Sequence, residues 1–200
     1  MKIIGITGGV GSGKSAVLNI LEQDYQSFVV QADLVAHELM SPGNISYKKI
    51  VDFFGEGILN EDKTINRKRL GEVVFSEKEK LEILNSFVHP EVKNKIKELI
   101  LEMKEKNSCK FFVIEAALLL EDHYEEICDE IWYIFAKKEI RQERLKQSRG
   151  YSEEKIQKMM DSQLSEGVFQ SRCNRTIDNS GKIEDTREQI KKIVEYSFLL

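Results

Sequence analysis

The sequence predicts an α/β fold built on a five-stranded parallel sheet. Short runs rich in β-branched and aromatic residues alternate with helical patterns, an order typical of a parallel sheet covered by helices on both faces. The chain has 200 residues, of which 41% are hydrophobic, and its two prolines and mixed composition mark no linker. We therefore expect one globular unit with a full core.

Five runs are predicted strands. Right-handed crossovers would place the carboxyl ends of these strands along one edge of the sheet, where ligands bind in open α/β folds. In chain order the runs are Lys2–Thr7, Phe28–Gln31, Phe111–Glu115, Ile131–Phe135 and the short Arg175–Ile177.

The first predicted strand leads directly into the pattern G-x-x-x-x-G-K-S. It consists of Gly8, Gly9, Val10, Gly11, Ser12, Gly13, Lys14 and Ser15, and a predicted helix follows from Ala16. Backbone N–H groups of such a loop surround a phosphate, and the helix directs its positive end at the same anion. The segment from Gly8 to Ala16 is therefore a predicted nucleoside triphosphate site.

Two side chains of this loop have predicted roles of their own. Lys14 is expected to reach the β- and γ-phosphates, and the hydroxyl of Ser15 to bind Mg²⁺. The alternative is a glycine-rich turn in which Lys14 is merely solvated, but the strand, loop and helix occur in the order that the chemistry requires.

Bulk composition argues against several other classes of protein. A net charge of -4 and a pI near 5.6 give no general attraction for nucleic acid or an anionic membrane. Cys109, Cys128 and Cys173 have neither disulfide-framework nor zinc-ligand spacing, and no apolar run approaches the ~20 residues of a membrane span. Met1 leads into a strand without a signal-peptide pattern, so we expect a cytoplasmic enzyme.

Almost eighty residues separate the second predicted strand from the third, and they have helical patterns. Such a block forms either an acceptor-binding face beside the phosphate loop or a thickened helical layer. The predicted helices are Asp33–Met40, Ile45–Phe54, Arg67–Phe75, Glu77–Phe87 and Glu91–Lys106.

A second helical segment runs from Lys137 to Arg175, with two helices predicted to join near residues 164–167. Its arginines could close over a transferring phosphoryl group as a lid does. The alternative is an amphipathic pair whose arginines bind Glu139, Glu143 and Glu153 on the surface.

Several further segments together resemble dephospho-CoA kinases. They are Ala32–His37 after the second strand, the pattern Arg67, Leu70, Val74 and Phe75, the pair His89–Pro90, the turn after Glu115, the segment Gln142–Arg144, and Asp178–Gly181. The resemblance spans essentially the whole chain. It implies a P-loop NTPase fold of the nucleoside and nucleotide kinase type, with a helical substrate-binding insertion and a helical lid.

The resemblance also implies boundaries and an activity. The core would comprise about residues 1–35, 108–137 and 175–200, the acceptor-binding insertion 36–107 and the lid 138–174. The implied reaction is ATP-dependent phosphorylation of the 3′-hydroxyl of dephospho-CoA, the last step of coenzyme A synthesis. ATP and Mg²⁺ would be required. The partners would be small molecules, without nucleic acid or membrane, and the protein a monomer or weak homo-oligomer.

Residue roles follow from the same resemblance. Asp33 would accept the proton of the acceptor hydroxyl, and Arg144, with Arg149, would stabilise the transferred group. Asn179 would contact adenine. The residues implied to bind the acceptor are Asp33, His37, Arg67, His89 and Glu115.

Simpler structural roles remain open for some of these residues. Asp33 could cap the helix that runs to Met40, and His89 before Pro90 could mark a helix start. Asp178 and Asn179 could cap the C-terminal helix, and Arg67 could be only solvated.

The chain departs from the family pattern at four places. Gln31 replaces an acidic residue, Glu115 an aspartate and Ala117 a proline, while Ser148 stands where a second lid arginine is usual. Arg149 follows one residue later, and a shift of one residue turns a helical side chain by about 100°. Arg149 would therefore substitute only if the helix has ended before it.

Two rival functions stay open. A nucleoside or nucleotide kinase of the same architecture would carry a similar loop and lid. A GTPase-like switch would usually carry an N-K-x-D guanine signature, which this sequence lacks.

Overall fold

Five parallel strands form one sheet in the order β2-β3-β1-β4-β5 in the computed structural model, which describes residues 1–197. The predicted fold class is confirmed. The central strand β1 is buried from Ile3 to Thr7, whereas three of the four residues of β5 are exposed, which explains its weak sequence pattern. The strands are β1 Lys2–Thr7, β2 Ser27–Gln31, β3 Phe111–Glu115, β4 Glu130–Phe135 and β5 Arg175–Asp178.

α-Helices connect the strands, except between β3 and β4, where the connection contains only the 3-10 helix Tyr124–Glu126. Residues 198–200, part of the predicted core segment 175–200, lie outside the described residues. The helices are α1 Lys14–Asp24, α2 Ala32–Leu39, α3 Ile45–Phe54, α4 Arg67–Ser76, α5 Lys78–Lys106, α6 Lys138–Arg149, α7 Glu153–Asp161, α8 Glu166–Arg172 and α9 Ile183–Ser197.

The chain divides into two units. The sheet unit comprises Met1–Val29 and the chain from Asn107 onward, and the helical unit comprises Val30–Lys106. In the sheet unit, α1 and α9 pack their apolar faces on the sheet. The largest side chains of this core include Ile4, Ile6, Leu21, Trp132, Ile134 and Ile190, all at most 1% exposed.

The helical unit is organised around α5, and here one sequence prediction is wrong. Instead of two helices separated near His89 and Pro90, a single helix continues through Pro90. Proline removes one helical hydrogen bond, but α5 buries a stripe of side chains on both sides of it, from Val88 to Met103. The Phe87 carbonyl, near the disturbed turn, accepts a hydrogen bond from the buried hydroxyl of Ser46 at 3.2 Å.

The segment predicted as a two-helix lid contains three helices, α6, α7 and α8. The missed break follows Arg149, where Gly150 takes a left-handed conformation with φ of 62° and ends α6. The second break, between Asp161 and Glu166, lies close to the predicted junction. Ser152 and Ser165 then cap α7 and α8 through their side chains.

No helix within residues 1–197 combines the length and the apolar character needed to cross a membrane.

Candidate active site

The glycine-rich loop ends at α1, whose first turn is prepared for an anion. Gly13 occupies the N-cap position with φ of 86°, a left-handed conformation that favours glycine. It supplies no side-chain cap, and the first turn contains no acidic residue. The backbone N–H groups of Lys14 and Ser15 are therefore available to a phosphate, whereas that of Ala16 donates to the Gly13 carbonyl at 3.0 Å.

Ser12 provides a second indication of an anion. Its hydroxyl is buried and makes no hydrogen bond to any atom of residues 1–197. A buried hydroxyl without a partner is costly, and a phosphate oxygen next to the loop would satisfy it. The donors of the loop thus fit a polyphosphate.

Lys14 lies against two oxygen atoms of the sheet unit. Its Nζ donates to the Gly8 carbonyl at 3.0 Å and lies 3.6 Å from Oε1 of Glu115. Glu115 ends β3, and its Cα pairs with that of Ile6 on β1, so the parallel register delivers the carboxylate to the loop. The sequence predicted an acceptor-binding residue at Glu115, and the structure brings it to Lys14.

Ser15 is exposed on the first turn of α1, next to Lys14. Within residues 1–197, no cluster of three or more His, Cys, Asp or Glu side chains is arranged to hold a metal ion. Mg²⁺ commonly binds through few protein ligands together with substrate phosphates. An exposed hydroxyl beside a phosphate-binding loop fits that mode. Ala16 is half-buried, and its backbone N–H donates to the Gly13 carbonyl.

Arg144 and Asn179 meet at the carbonyl of Ser12. Nη1 of Arg144 donates to this carbonyl at 3.2 Å and Nδ2 of Asn179 at 2.8 Å, while Nη2 of Arg144 donates to the Asn179 carbonyl at 2.8 Å. Oδ1 of Asn179 accepts from the hydroxyl of Thr186 at 3.0 Å. Both polar atoms of this buried amide therefore bind protein groups, and the side chain does not cap α9.

Arg149 does not share the position of Arg144. Helix α6 continues through Arg149, so the condition for its substitution, that the helix should already have ended, is not met. Five residues of α-helix turn a side chain by about 140° beyond a full turn. Arg149 is exposed on another side of α6, whereas Arg144 is half-buried against the loop.

Two residues that contact the loop were missed as site residues. Arg141 donates through Nε to the Val10 carbonyl at 2.8 Å, and Oε1 of Gln163 accepts from the Val10 N–H at 3.0 Å. Arg141 precedes Arg144 by three residues, so helical spacing alone places them on one face. Gln163 lies in the turn between α7 and α8 and had no sequence signal.

The helical unit contains a cavity of about 640 Å³, a size typical of small-molecule sites. Two of the predicted acceptor residues, His37 and Arg67, belong to its wall. Arg67 is the first residue of α4, whose N-cap Asn66 accepts a hydrogen bond from the Arg69 N–H at 3.0 Å. The remaining wall is mainly apolar and includes Met40, Pro42, Ile65, Leu70, Val74, Phe75, Leu81 and Leu84.

Asp33 lies one helical turn before His37 on α2. Residues four apart on a helix share a face, so the Asp33 carboxylate is on the face that carries His37 to the cavity wall. The N-cap of α2 is Gln31, and Asp33 is the second helical residue and exposed. Its predicted alternative role as an N-cap is therefore wrong.

His89 stands apart from this wall. It lies within α5, directly before Pro90, and is not among the residues that line the cavity. Its alternative role as a helix start is wrong as well, because α5 begins at Lys78.

A parallel sheet whose first strand feeds a G-x-x-x-x-G-K-S loop and an uncapped helix defines a P-loop NTPase fold. A shikimate kinase structure from Acinetobacter baumannii shares this fold, with a TM-score of 0.55 at 14% identity over 100% of this chain and 96% of that one.

Comparison with known proteins identifies the family. The chain belongs to the dephospho-CoA kinase family, whose model matches residues 2–185. A dephospho-CoA kinase of Carboxydothermus hydrogenoformans is 38% identical over 195 residues, covering 98% of this chain and 94% of the relative. The dephospho-CoA kinase structure from Campylobacter jejuni is similar with a TM-score of 0.71 at 29% identity, covering 98% of this chain and 96% of that one. The protein is thus a kinase.

Proposed function

We propose that the protein transfers the γ-phosphoryl group of ATP to the 3′-hydroxyl of the ribose of dephospho-CoA, giving coenzyme A and ADP. The observation that carries this proposal is the loop Gly8–Ser15, with its buried, unpartnered Ser12 hydroxyl and uncapped α1, in a chain that belongs to this family.

The ATP side of the reaction is assigned to the sheet unit. Lys14 and the loop N–H groups other than those of Val10 and Ser12, which bind Gln163 and Gly9, hold the β- and γ-phosphates. They neutralise the charge that accumulates on the transferred group. Arg144 is 3.2 Å from the Ser12 carbonyl and so lies beside the loop, which supports a role for its guanidinium near the phosphates. The side chain of Asn179 is engaged, and its N–H donates to the Phe135 carbonyl at 2.8 Å. A contact with adenine is therefore assigned to the second lone pair of the Asn179 carbonyl, which also accepts from Arg144.

Mg²⁺ is assigned to the Ser15 hydroxyl together with phosphate oxygens. When bound, the ion supplies charge neutralisation at the phosphates. Glu115 contributes negative charge at the same end of the sheet and holds Lys14 in place.

The acceptor is assigned to the helical unit. Dephospho-CoA joins a long, weakly polar arm to a phosphate-bearing nucleoside, and the cavity combines apolar side chains with Arg67 and His37. Apolar surface suits the arm, and Arg67 suits a phosphate. The segment 36–107 is proposed as the acceptor-binding insertion, with the contacts made at this cavity, and 138–174 as the lid.

Asp33 is proposed as the base. Its carboxylate is exposed, and it lies on the α2 face that carries His37 to the cavity wall. A carboxylate there can orient the ribose hydroxyl and accept its proton as the new P–O bond forms. His89 is proposed only as a secondary acceptor contact, because the cavity wall does not include it.

A substrate panel tests this function. The purified protein is incubated with ATP and Mg²⁺ and with dephospho-CoA, its 3′-deoxy analogue or a set of nucleosides and nucleotides, and ADP and phosphorylated product are measured. We expect turnover of dephospho-CoA and none of the 3′-deoxy analogue. Lys14→Met provides the inactive control. Turnover of nucleosides alone would assign the protein to the rival kinase class.

Cytoplasmic location and a monomer or weak homo-oligomer are proposed on the sequence alone.

A further inference from the structure

One side chain from the turn between α7 and α8 joins the phosphate loop to α6. Oε1 of Gln163 accepts a hydrogen bond from the Val10 N–H at 3.0 Å and a second from Nη2 of Arg141 at 2.9 Å. Nε of Arg141 donates to the Val10 carbonyl at 2.8 Å. Both backbone polar groups of Val10 are therefore bound by two side chains that also bind each other.

Removal of the Gln163 oxygen would leave Nη2 of Arg141 without this hydrogen-bond acceptor. The guanidinium is half-buried, and burial lowers the pKa of Arg141 below its ordinary value. A partly desolvated guanidinium needs acceptors for its fixed N–H groups. The Val10 carbonyl satisfies Nε and Gln163 satisfies Nη2.

The loop and the guanidinium are in close contact. A Cβ atom added to Gly9 would overlap Nη2 of Arg141, so the guanidinium lies directly against the Gly9 backbone. If the guanidinium were displaced, either the loop would move with it or the packing contact between Arg141 and Gly9 would be lost. The absence of a side chain at Gly9 allows the guanidinium to contact the loop backbone.

Gln163 itself is held by the surrounding helices. Its N–H donates to the Met160 carbonyl at 3.2 Å, at the end of α7. On the other side of the turn, Phe169 of α8 stacks on Tyr133 of β4, with ring centroids 4.8 Å apart and planes within 4° of parallel. The stack fixes α8 to the sheet.

We propose that Gln163 is a positioning residue for ATP: its side-chain carbonyl holds the Val10 amide and the Arg141 guanidinium together and so presets the phosphate loop. It acts through these groups and does not touch substrate. This inference rests on the proposed function, because its test measures the phosphorylation of dephospho-CoA. Its effect is specific to the nucleotide, because Val10 and Arg141 both belong to the sheet unit.

Three variants test the proposal. Gln163→Met keeps the size of the side chain and removes the acceptor, and we expect KM for ATP to rise about tenfold, equivalent to roughly 1.4 kcal/mol. KM for dephospho-CoA should stay within about twofold. Gln163→Glu keeps an acceptor oxygen for both donors and should recover most of the loss. The control is Gln170→Met on α8, where the exposed side chain binds Glu166.

The pattern of the two KM values decides the outcome. A methionine variant with wild-type KM for ATP, equal rises in both KM values, or a glutamate variant as impaired as the methionine variant would each overturn the proposal. Should the methionine variant not fold by circular dichroism, Gln163→Asn, which withdraws the carbonyl by one methylene, carries the same expectation. Wild-type turnover of dephospho-CoA tests the proposed function separately.

Discussion

The side-chain nitrogen of Asn179 donates a hydrogen bond to the main-chain carbonyl of Ser12 across 2.8 Å, although 167 residues separate the two along the chain. Oδ1 of the same amide accepts from Thr186 of α9. The end of β5 and the start of α9 thus hold the loop that follows β1. A side chain introduced at Gly13, next to this hydrogen bond, must displace the Asn179 amide.

Gly13→Ala should destabilise the protein by about 1–3 kcal/mol, because its φ of 86° is strained for alanine and the new Cβ would collide with Nδ2 of Asn179. Gly167→Ala on α8 is the matched control. Open space surrounds Gly167, and alanine in a helix is expected to be neutral or to stabilise by up to about 1 kcal/mol. Urea unfolding measures both, and equal free energies of unfolding for the two variants would contradict the collision.

Lys14 and Glu115 should show a measurable coupling free energy in a double-mutant cycle. Its side chains are 18% and 14% exposed, so Glu115→Gln and Lys14→Met should couple by about 1–3 kcal/mol in the free energy of unfolding. The control pair Lys78–Glu82 has the same 3.6 Å separation but is 88% and 65% exposed, and should couple by less than about 0.5 kcal/mol. Similar coupling in both cycles would show that burial does not strengthen the loop pair.

Asp33→Asn should lower kcat for dephospho-CoA at least about 100-fold, because the amide cannot accept the hydroxyl proton. KM for ATP should change by less than about twofold, since no contact to ATP is assigned to Asp33. Asp52→Asn, at an exposed position of α3, is the control. Steady-state kinetics that leave kcat at the wild-type value would remove Asp33 from its proposed role.

Filling the helical-unit cavity should weaken acceptor binding alone. Leu84→Trp adds an indole to the cavity wall, and we expect KM for dephospho-CoA to rise about tenfold with an unchanged KM for ATP. Leu101→Trp introduces the same side chain on α5 at a position that is 62% exposed, and should behave as wild type. If both tryptophan variants keep the wild-type KM for dephospho-CoA, the acceptor binds elsewhere.

Alkaline pH should destabilise the protein through groups that burial keeps neutral. Burial raises the pKa of Cys128 to about 12, that of Tyr133 to about 12 and that of Cys173 to about 11. In the unfolded chain these groups ionise at ordinary values, so their contribution is complete below about pH 9 and is lost as pH rises toward 12. Unfolding measured from pH 8 to pH 11 should show this fall. Cys128→Ala should make it shallower, and an unchanged slope would contradict the assignment.

Sequence patterns located the regular elements well where local and tertiary preferences agree. β1, β3 and α3 begin and end at the predicted residues, since each apolar run is bounded by residues that end the element. Pro90 shows the limit of local preference. Burial along α5 outweighs the helix-breaking tendency of proline.

The contacts around the phosphate loop were harder to predict than the loop itself. The motif identifies Lys14 and the glycines, because the backbone of these neighbouring residues itself forms the phosphate site. Gln163 and Asn179 reach the loop through tertiary packing, and the single polar side chain that each contributes has no periodic signature. The prediction for Arg149 was wrong for a local reason. Gly150 ends α6 only after Arg149, so Arg149 is still helical and lies on another side of the helix from Arg144.

The bond between Asn179 and Ser12 also orders events on the ribosome. The glycine-rich segment is synthesised well before Asn179, yet its lasting support is made only after β5 and the start of α9 have been translated. Because Ser12 must wait for a partner 167 residues later in the chain, a nascent chain halted before Asn179 should lack a finished nucleotide pocket. Competence for ATP would then be acquired only once translation has passed Asn179.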